Sequence, residues 1–581
     1  MQIPGSSEFI GISPGESLYR MLASTLKSVL DSIPGPGSSR LSKILNGPAS
    51  DQAIAPDSSR PFLCHTPEAD LVTRLIQTYG NNEDLVIKKV SRLSEQCQAF
   101  INRFGDGPVM VLRAPARINI LGEHVDYVSY IPTASLTFGS REHDMVMMFR
   151  PSPGGLVRGI STNDRFGEFQ FDINDAYKSG ADKPSHEDLA RPAGARTRYS
   201  LLESQWLAYL YSRPAPAPAW ENYVAGACRF AQMKYGSAID AGFDFLLDSS
   251  IMSGGGASSS SALSVLSGAA IRIANGIEHE PAELATDSSQ AEWYVGTRGG
   301  SMDHRTICLA RPGSAVSISY SSKTSTWLPL PENEYRWVTF FTHPANKGED
   351  IMNHYNDRAF VSRILIPAIL DEWHSTNPHR TESFSQGVHQ FEAGDLDGLD
   401  LIEKCLLNLP TLMNANEVRR SYPEAYIAAN DAFPALCNEQ ERAFAVRERA
   451  LHHLGEVRRV ALAKEVLKGR EEGQPASTEA LMTMLGKLLC ESHASLRDLY
   501  EVSTGEVEEL IRIIESSGLA CGARLMGGGF GGNVLALVPE TGCVPLAGMI
   551  EQEYYRRRGR NGSNEGSVMV STSGPGVTQI A

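Results

Sequence analysis

Several features that mark common protein classes are missing from this chain. It carries 53 Lys and Arg against 68 Asp and Glu, which gives a formal net charge of −15. This acidic balance disfavours nucleic acid or an anionic membrane as the main partner, because basic surfaces bind both. No apolar run reaches the roughly 18–20 residues that span a bilayer. We therefore expect no nucleic-acid partner and no membrane partner.

Cysteine is sparse and scattered. Nine cysteines lie between Cys64 and Cys543, and no two form a C-x-x-C pair. This spacing argues against a disulfide framework or a zinc ribbon and fits free thiols in a reducing compartment. The N-terminal residues also lack a basic segment followed by an apolar one, the pattern of a secretory leader. A cytoplasmic protein is expected.

The length of 581 residues exceeds one ordinary core, so two or more domains are expected. Residues 1–65 are rich in Gly, Ser and Pro and are predicted to be a disordered or loose appendage. The polar stretch from about 175 to 219 is interpreted as an insertion or linker. Elsewhere, strand and helix patterns alternate without a regular βαβ repeat, which predicts an α+β fold.

A serine–glycine loop, "SGGGASSSSAL" (Ser253–Leu263), follows a predicted strand and precedes a predicted helix starting near Ser260. Glycines let backbone N–H groups approach a ligand, and the N-terminus of a helix attracts anions. The serine hydroxyls add donors for phosphate oxygens and oxygen ligands for Mg²⁺. The pattern favours a phosphate site, and the alternative is a flexible loop with a serine cap.

Two other phosphate-binding patterns are not supported. No G-x-x-x-x-G-K-[ST] occurs, which argues against a P-loop. Gly527, Gly529 and Gly532 match G-x-G-x-x-G, but the strand-like "NVLALV" follows them where a dinucleotide-binding fold needs a helix.

A third stretch, "APARINILGEHVDY" (Ala114–Tyr127), runs from an apolar strand pattern, with a bend expected at Pro115, into Glu123, His124 and Asp126. Carboxylates are strong hydrogen-bond acceptors and suit a ligand with many hydroxyls. By themselves, the two acids are equally compatible with capping a helix, and His124 with a surface position.

Together with "GARLMGGGFGGNVLALV", these stretches resemble the three motifs of the GHMP kinases in the same order, and the version here looks like the galactokinases. "GGSMDHRT", "HYNDRAFVSR" and "ESHASLRDLYEVS" also resemble galactokinase segments. The resemblance covers roughly residues 95–572. It implies a ribosomal-S5-like N-terminal domain, placed at 66–325 with its preceding helices, and a ferredoxin-like C-terminal domain at 326–581.

The resemblance further implies transfer of the ATP γ-phosphoryl group to the anomeric hydroxyl of a sugar, with Mg²⁺ as cofactor. The expected partners are the sugar and ATP, and a monomer is expected. Asp303 is the implied base, with Arg117 beside it. The implied metal ligands are Ser260 and Glu292. The implied sugar contacts are Glu123, His124, Asp126, Gly300 and Tyr355. The implied ATP contacts are Gly254, Gly255, Gly256, Ser258, Ser259, Ser260, Gly528 and Gly529.

Some of these residues have plain structural alternatives. Asp303 is compatible with a turn or cap, Glu292 with a solvated helix face and Tyr355 with packing. The segment after Tyr127, "VSYIPTASLTFGSREHD", departs from the galactokinase pattern next to the expected sugar site, so N-acetylgalactosamine or another hexose stays an alternative to galactose. A sugar sensor without catalytic activity is a further alternative. Such sensors usually have an altered serine loop, whereas the serine loop of this chain is intact.

Overall fold

A computed structural model describes residues 71–80, 82–105, 109–174, 201–213, 216, 219–296, 299–344, 349–432, 442–471, 477–560 and 567–580. The predicted appendage at 1–65, with its short amphipathic patch, lies outside these ranges. Within them, no helix is long and apolar enough to cross a membrane.

The larger of two main sheets has nine strands and carries the first and second motifs. Its central path follows the order β15-β1-β2-β5-β3-β4, with β14 and β6 paired to β2 and β7 paired to β6. The β1–β2 register shifts between Pro115 and Arg117, which confirms the bend expected at the proline. The strands are β1 Met110–Leu121, β2 Ala134–Ser152, β3 Leu156–Ser161, β4 Phe169–Asp172, β5 Gly242–Ser249, β6 Ser314–Ser319, β7 Ser325–Pro329, β14 Ser573–Gly574 and β15 Thr578–Gln579.

Both faces of this sheet are covered, because successive side chains of a strand point to opposite sides. Val111, Val146 and Met148 pack with helices α1 (Leu71–Tyr79) and α2 (Glu83–Phe104). Leu112, Met147 and other residues of the opposite face form the largest core with a second helical layer. That layer contains α3 Leu201–Tyr211, α4 Trp220–Tyr235, α5 Ser259–Ala274, α6 Pro281–Glu292 and α7 Met302–Leu309.

The helices α1 and α2 are also tied to the sheet by a buried charge. Asp144 of β2 pairs with Lys89, Arg92 and Arg113, and it accepts a hydrogen bond from the Tyr79 hydroxyl. Burial alone would raise the pKa of Asp144, but these three cations hold it far below its ordinary value. The two helices are thus an integral part of the unit built around the larger sheet, which is the first unit of the chain.

Of the two interpretations of residues 175–219, the linker is wrong for residues 201–211, and the insertion stays a prediction. Residues 201–211 form helix α3, and Trp206 is fully buried and donates to the Gln290 carbonyl oxygen. The sequence "LLESQWLAYLY" is largely apolar, so its burial against the core outweighs the polar and proline-rich composition around it.

The second sheet is antiparallel, with the order β11-β12-β8-β13, and carries the third motif. Its strands are β8 Tyr335–Phe341, β11 Gly522–Met526, β12 Asn533–Pro539 and β13 Val568–Ser571. Strand β12 follows the glycine loop of the third motif, which confirms that this loop does not lead into a dinucleotide-binding helix. Helices α15 Thr478–Asp498, α16 Gly505–Ser517 and α17 Glu540–Ile550 accompany the sheet.

The region between β8 and β11 is mainly helical, as predicted. The exception is an unpredicted pair of three-residue strands, β9 Leu412–Asn414 and β10 Ala443–Ala445. The helices are α8 Glu349–Phe360, α9 Ile366–Thr376, α10 Glu382–Glu392, α11 Gly398–Leu406, α12 Ala415–Ser421, α13 Pro423–Ala432 and α14 Arg447–Glu471.

The expected boundary at residues 325 and 326 needs a correction at two places. Strand β7 (Ser325–Pro329) pairs with β6, and residues 573–579 pair with β1 and β2. Both segments therefore belong to the larger sheet, not to the C-terminal unit in which the prediction placed them. The end of the chain returns to the first unit because its backbone completes hydrogen bonds of β1 and β2 there.

Candidate active site

The serine–glycine loop lies between β5 and α5, which confirms the predicted strand–loop–helix arrangement. Ser258, the residue before α5, has a left-handed backbone with φ of 64°. Its Oγ is buried beside the Asp303 carboxylate, whose pKa it helps to lower. The first N–H groups of a helix have no intrahelical acceptor. The end of the loop thus combines free backbone donors with a buried hydroxyl, as an anion site requires.

This loop touches the glycine loop of the third motif, residues 527–532. A Cβ at Gly256, where φ is +76°, would lie 2.7 Å from the Met526 carbonyl oxygen. A Cβ at Gly527 would lie 2.9 Å from the Gly256 Cα, and one at Gly532 would lie 3.3 Å from the Gly255 oxygen. The absence of side chains at these positions is what lets the two backbones meet.

The two third-motif glycines that the resemblance assigned to ATP are less directly placed. Gly529 faces Val502, where a Cβ would lie 2.5 Å from the Val502 Cβ. Gly528 has open space around its α-carbon. Their contact with nucleotide stays a prediction.

A cleft of about 1310 Å³ opens beside the serine–glycine loop. Of the implied ATP contacts, Gly254, Ser259 and Ser260 line this cleft. Aromatic residues that the sequence reasoning did not single out form other parts of its wall, and they come from both units: Phe166, Trp220, Tyr223, Phe341 and Tyr555. The cleft thus combines a polar anion-binding end with flat apolar surfaces suited to an aromatic ring.

Asp303 and Arg117 meet at the base of the loop, as the resemblance implied. Arg117 Nε donates to Asp303 Oδ1 at 2.6 Å, and Arg117 Nη1 donates to the Gly256 carbonyl oxygen at 2.9 Å. Burial alone would raise the pKa of Asp303, but the Arg117 guanidinium holds it below its ordinary value. Asp303 is therefore an ionised carboxylate whose position is coupled to the serine–glycine loop.

Glu292 ends helix α6 close to Asp303, and its side chain is only 13% exposed. The alternative of a solvated helix face is therefore wrong. Its Oε2 accepts a hydrogen bond from Ser261 Oγ at 2.9 Å and lies 2.8 Å from His304 Nε2. Burial would raise the pKa of Glu292, but His304 together with the hydroxyls of Ser260 and Ser261 lowers it.

The turn after β1 places Asp126 near Asp303. Asp126 Oδ2 accepts from the Met302 N–H at 3.1 Å, and burial raises the pKa of Asp126 to about 6. Gly300 lies against this carboxylate, since a Cβ there would come within 2.2 Å of Asp126 Oδ2. His124 has a left-handed backbone with φ of 59°.

His124 is surrounded by tyrosines. Its Nδ1 lies 3.0 Å from the Tyr127 hydroxyl, and its buried Nε2 has no hydrogen-bond partner among the described residues. Tyr355, half-buried, places its ring 6.1 Å from the His124 ring, and its pKa is raised by burial and then by Asp126. The alternative of His124 as a surface residue is wrong, because the side chain is 4% exposed.

Glu123 has a different environment from the other sugar candidates. Its carboxylate accepts hydrogen bonds from Arg524 and from the Gly527 N–H, so it joins the first unit to the third motif. The capping alternative holds for Asp126, which accepts from the N–H of Met302, the first residue of α7, whereas the carboxylate of Glu123 bonds to Arg524 and Gly527 and caps no described helix. A contact between Glu123 and sugar stays a prediction.

Glu456 of helix α14, which the sequence reasoning missed, anchors the same turn. One of its oxygens accepts from the Gly122 N–H at 2.7 Å and the Glu123 N–H at 3.1 Å. The other accepts from Ser492 Oγ at 2.7 Å and from Arg459. No local pattern in the sequence points to this role, because the partners are more than 330 residues apart.

Comparison with known proteins matches three parts of the chain to family models. A galactokinase galactose-binding signature covers residues 98–131, a GHMP kinase N-terminal domain covers 222–311 and a GHMP kinase C-terminal domain covers 477–542. The galactose-binding signature includes the turn with Glu123 to Asp126. The N-terminal domain model includes the serine–glycine loop and Asp303, and the C-terminal domain model includes the glycine loop of the third motif.

Full-length relatives agree with these matches. Galactokinase from Dictyostelium discoideum is 25% identical over 528 residues, spanning 86% of this chain and 93% of the relative. Galactokinase from Homo sapiens is 26% identical over 466 residues, spanning 80% and 92%. The crystal structure of Lactococcus lactis galactokinase complexed with galactose is similar in fold, with a TM-score of 0.54 at 22% identity, covering 84% of this chain and 100% of that chain.

Proposed function

The chain belongs to the GHMP kinase superfamily and resembles galactokinase, and from this premise we propose that it transfers the γ-phosphoryl group of ATP to the 1-hydroxyl of galactose. The observation that carries this proposal is the Arg117–Asp303 pair, which joins an ionised carboxylate to the serine–glycine loop through the Gly256 carbonyl oxygen. A proton acceptor and a phosphate-binding loop are thereby held next to each other.

Asp303 acts as the base. Arg117 fixes Oδ1, which leaves Oδ2 to accept the proton of the sugar 1-hydroxyl as its oxygen bonds to the γ-phosphorus. Arg117 also offsets negative charge as the phosphoryl group moves. Because phosphoryl transfer needs mainly positioning and charge stabilisation, these two residues and the loop can supply most of what the reaction asks of the protein.

ATP lies in the cleft beside the serine–glycine loop. The phosphates bind the free N–H groups and hydroxyls of the loop and the start of α5. The aromatic wall formed by Phe166, Trp220 and Tyr223 supplies a surface for the adenine ring of ATP. The cleft volume of about 1310 Å³ is ample for a nucleotide.

The residues around Glu292 fit a Mg²⁺ ion, because this ion prefers hard oxygen ligands and few of them from protein. Glu292 is an ionised carboxylate, and the Ser260 hydroxyl reaches it. Ser260 and Glu292 would hold the ion, which would neutralise charge on the ATP phosphates when bound.

The sugar lies between Asp126, His124 and Tyr355. Asp126 accepts hydrogen bonds from ring hydroxyls, and the unpaired Nε2 of His124 supplies a further polar contact. A buried acceptor that faces a missing or inverted hydroxyl is left unpaired, so such a site rejects sugar epimers strongly. Glu123 is the fourth proposed sugar contact.

We further propose a cytoplasmic monomer. The cysteines of the described ranges are free thiols, which fits a reducing compartment.

A panel of sugars with ATP, with ADP release as readout and a sugar-free reaction as background, tests the proposal. Galactose should give the highest kcat/KM, and its 4-epimer glucose should be poorer by several powers of ten. A higher kcat/KM for N-acetylgalactosamine would keep a sugar kinase and reject galactose as its substrate. Sugar binding without sugar-dependent ADP release from any member of the panel would reject catalysis and favour a sensor.

A further inference from the structure

Three helix ends converge on the side chain of Ser261. Ser261 lies in the first turn of α5, Glu292 is the last residue of α6, and Asp303 lies in the first turn of α7. The Ser261 side chain is buried with the residue 3% exposed. Its Oγ lies 2.9 Å from Glu292 Oε2 and 3.5 Å from Asp303 Oδ2.

This hydroxyl stands between two carboxylates that are both held in their ionised form. Two like charges at close range repel each other unless donors lie between or beside them. A serine hydroxyl has a single proton, so it donates to one carboxylate at a time, and Glu292 has the shorter contact. Arg117 offsets the charge of Asp303 from the opposite side, at Oδ1.

The Asp303 oxygen that faces Ser261 is the one that Arg117 leaves free. In the proposed reaction Oδ2 receives the proton when the sugar O–H bond breaks, the new O–P bond forms, and the bond between the γ-phosphorus and the β–γ bridging oxygen breaks. A shift of Ser261 would therefore alter the orientation of the reacting oxygen and its distance from Glu292.

We propose that Ser261 is a positioning residue for phosphoryl transfer, whose hydroxyl sets the separation of Glu292 from Asp303 and orients the free oxygen of Asp303. The inference rests on the proposed function, since it gives Asp303 and Glu292 their roles there. The two hydrogen-bond contacts of Ser261 Oγ join the residue to Glu292 and Asp303.

The test compares Ser261→Ala with Ser261→Thr and with a matched control, Ser264→Ala. Ser264 lies one turn further along α5, is fully buried, and its hydroxyl has no partner among the described residues. Removing a hydrogen bond to a charged group should lower kcat of Ser261→Ala about tenfold to a hundredfold, with KM for galactose unchanged. Ser261→Thr, which keeps a hydroxyl, should recover most of kcat, and Ser264→Ala should keep it.

The dependence on Mg²⁺ gives a second readout that a packing role would not move. The Mg²⁺ concentration for half-maximal velocity should rise in Ser261→Ala and stay unchanged in Ser264→Ala, at equal melting temperatures of the two variants. An unchanged kcat in Ser261→Ala would overturn the inference, as would a Ser264→Ala variant with the same loss. A folded Ser261→Thr as impaired as Ser261→Ala would also overturn it, because the hydroxyl would then not be the cause.

The wild-type reaction distinguishes a failure of the proposed function from a failure of the inference on Ser261. If the wild-type protein releases no ADP with any sugar of the panel, the proposed function fails. If the wild type turns over galactose and Ser261→Ala does so equally well, only the inference on Ser261 fails.

Discussion

Replacing Asp303 by Asn is the most direct test of the proposed chemistry. The amide keeps the size of the side chain but cannot accept the sugar proton. Loss of a positioned base lowers rates by about 10²–10⁴-fold. We expect kcat to fall within that range, while ATP still binds, because the free N–H groups at the start of α5 and the aromatic wall of the cleft are unchanged.

The substitution should also lower stability, because Arg117 loses its ion-pair partner. The Arg117 side chain is 4% exposed and that of Asp303 is 28% exposed, so the pair is partly screened by solvent. Arg117 keeps its bond to the Gly256 carbonyl oxygen and the nearby charges of Glu123 and Asp126. The free energy of unfolding should therefore fall by about 1–3 kcal/mol, less than for a fully buried pair, and Tm by a few degrees.

Three measurements decide the outcome. Galactose-dependent ADP release gives kcat, titration with ATP gives nucleotide affinity, and thermal unfolding gives Tm. A folded Asp303→Asn protein with kcat close to wild type would refute the role of Asp303 as base. Loss of ATP binding together with activity would instead mean that Asp303 organises the serine–glycine loop, contrary to the proposed mechanism.

Three further predictions concern other parts of the molecule. Because burial raises the pKa of Asp126 to about 6, protonation below that pH removes its charge, so kcat/KM for the sugar should rise with pH around 6, and Asp126→Asn should abolish this rise. Gly256→Ala should weaken ATP binding in a titration, because its Cβ would press on the Met526 carbonyl oxygen. The control Gly276→Ala has a similar φ of +66° and open space around the new Cβ, so it should leave ATP binding unchanged. Equal ATP affinities in the two variants would contradict this prediction. A chain starting at Pro67 should keep sugar-dependent ADP release, and a folded but inactive truncation would show that residues 1–65 complete the site.

The local arrangement of the motifs could be predicted from the sequence. The β-branched run "INIL" continues a strand, and the small and leucine-rich residues after Ser258 form a helix, so both motifs have the predicted elements on each side. These outcomes depend on neighbours along the chain, where side-chain periodicity and glycine conformations act directly. The resemblance to GHMP kinases added which of these residues should face one ligand.

Long-range pairing was decided only in the tertiary structure. Arg117 and Asp303 lie 186 residues apart, and Glu123 meets Arg524 across 401 residues. The return of residues 573–579 to the first sheet likewise has no local signal, and Trp206 donates to the Gln290 carbonyl oxygen, 84 residues away. A side chain's partner depends on which surfaces the folded elements bring into contact, and burial of a charge then makes that partner obligatory. The sequence by itself therefore determined the elements and the kinds of residues at the site, whereas packing decided that Ser261 stands between two carboxylates and that Glu123 and Glu456 bind the two units together.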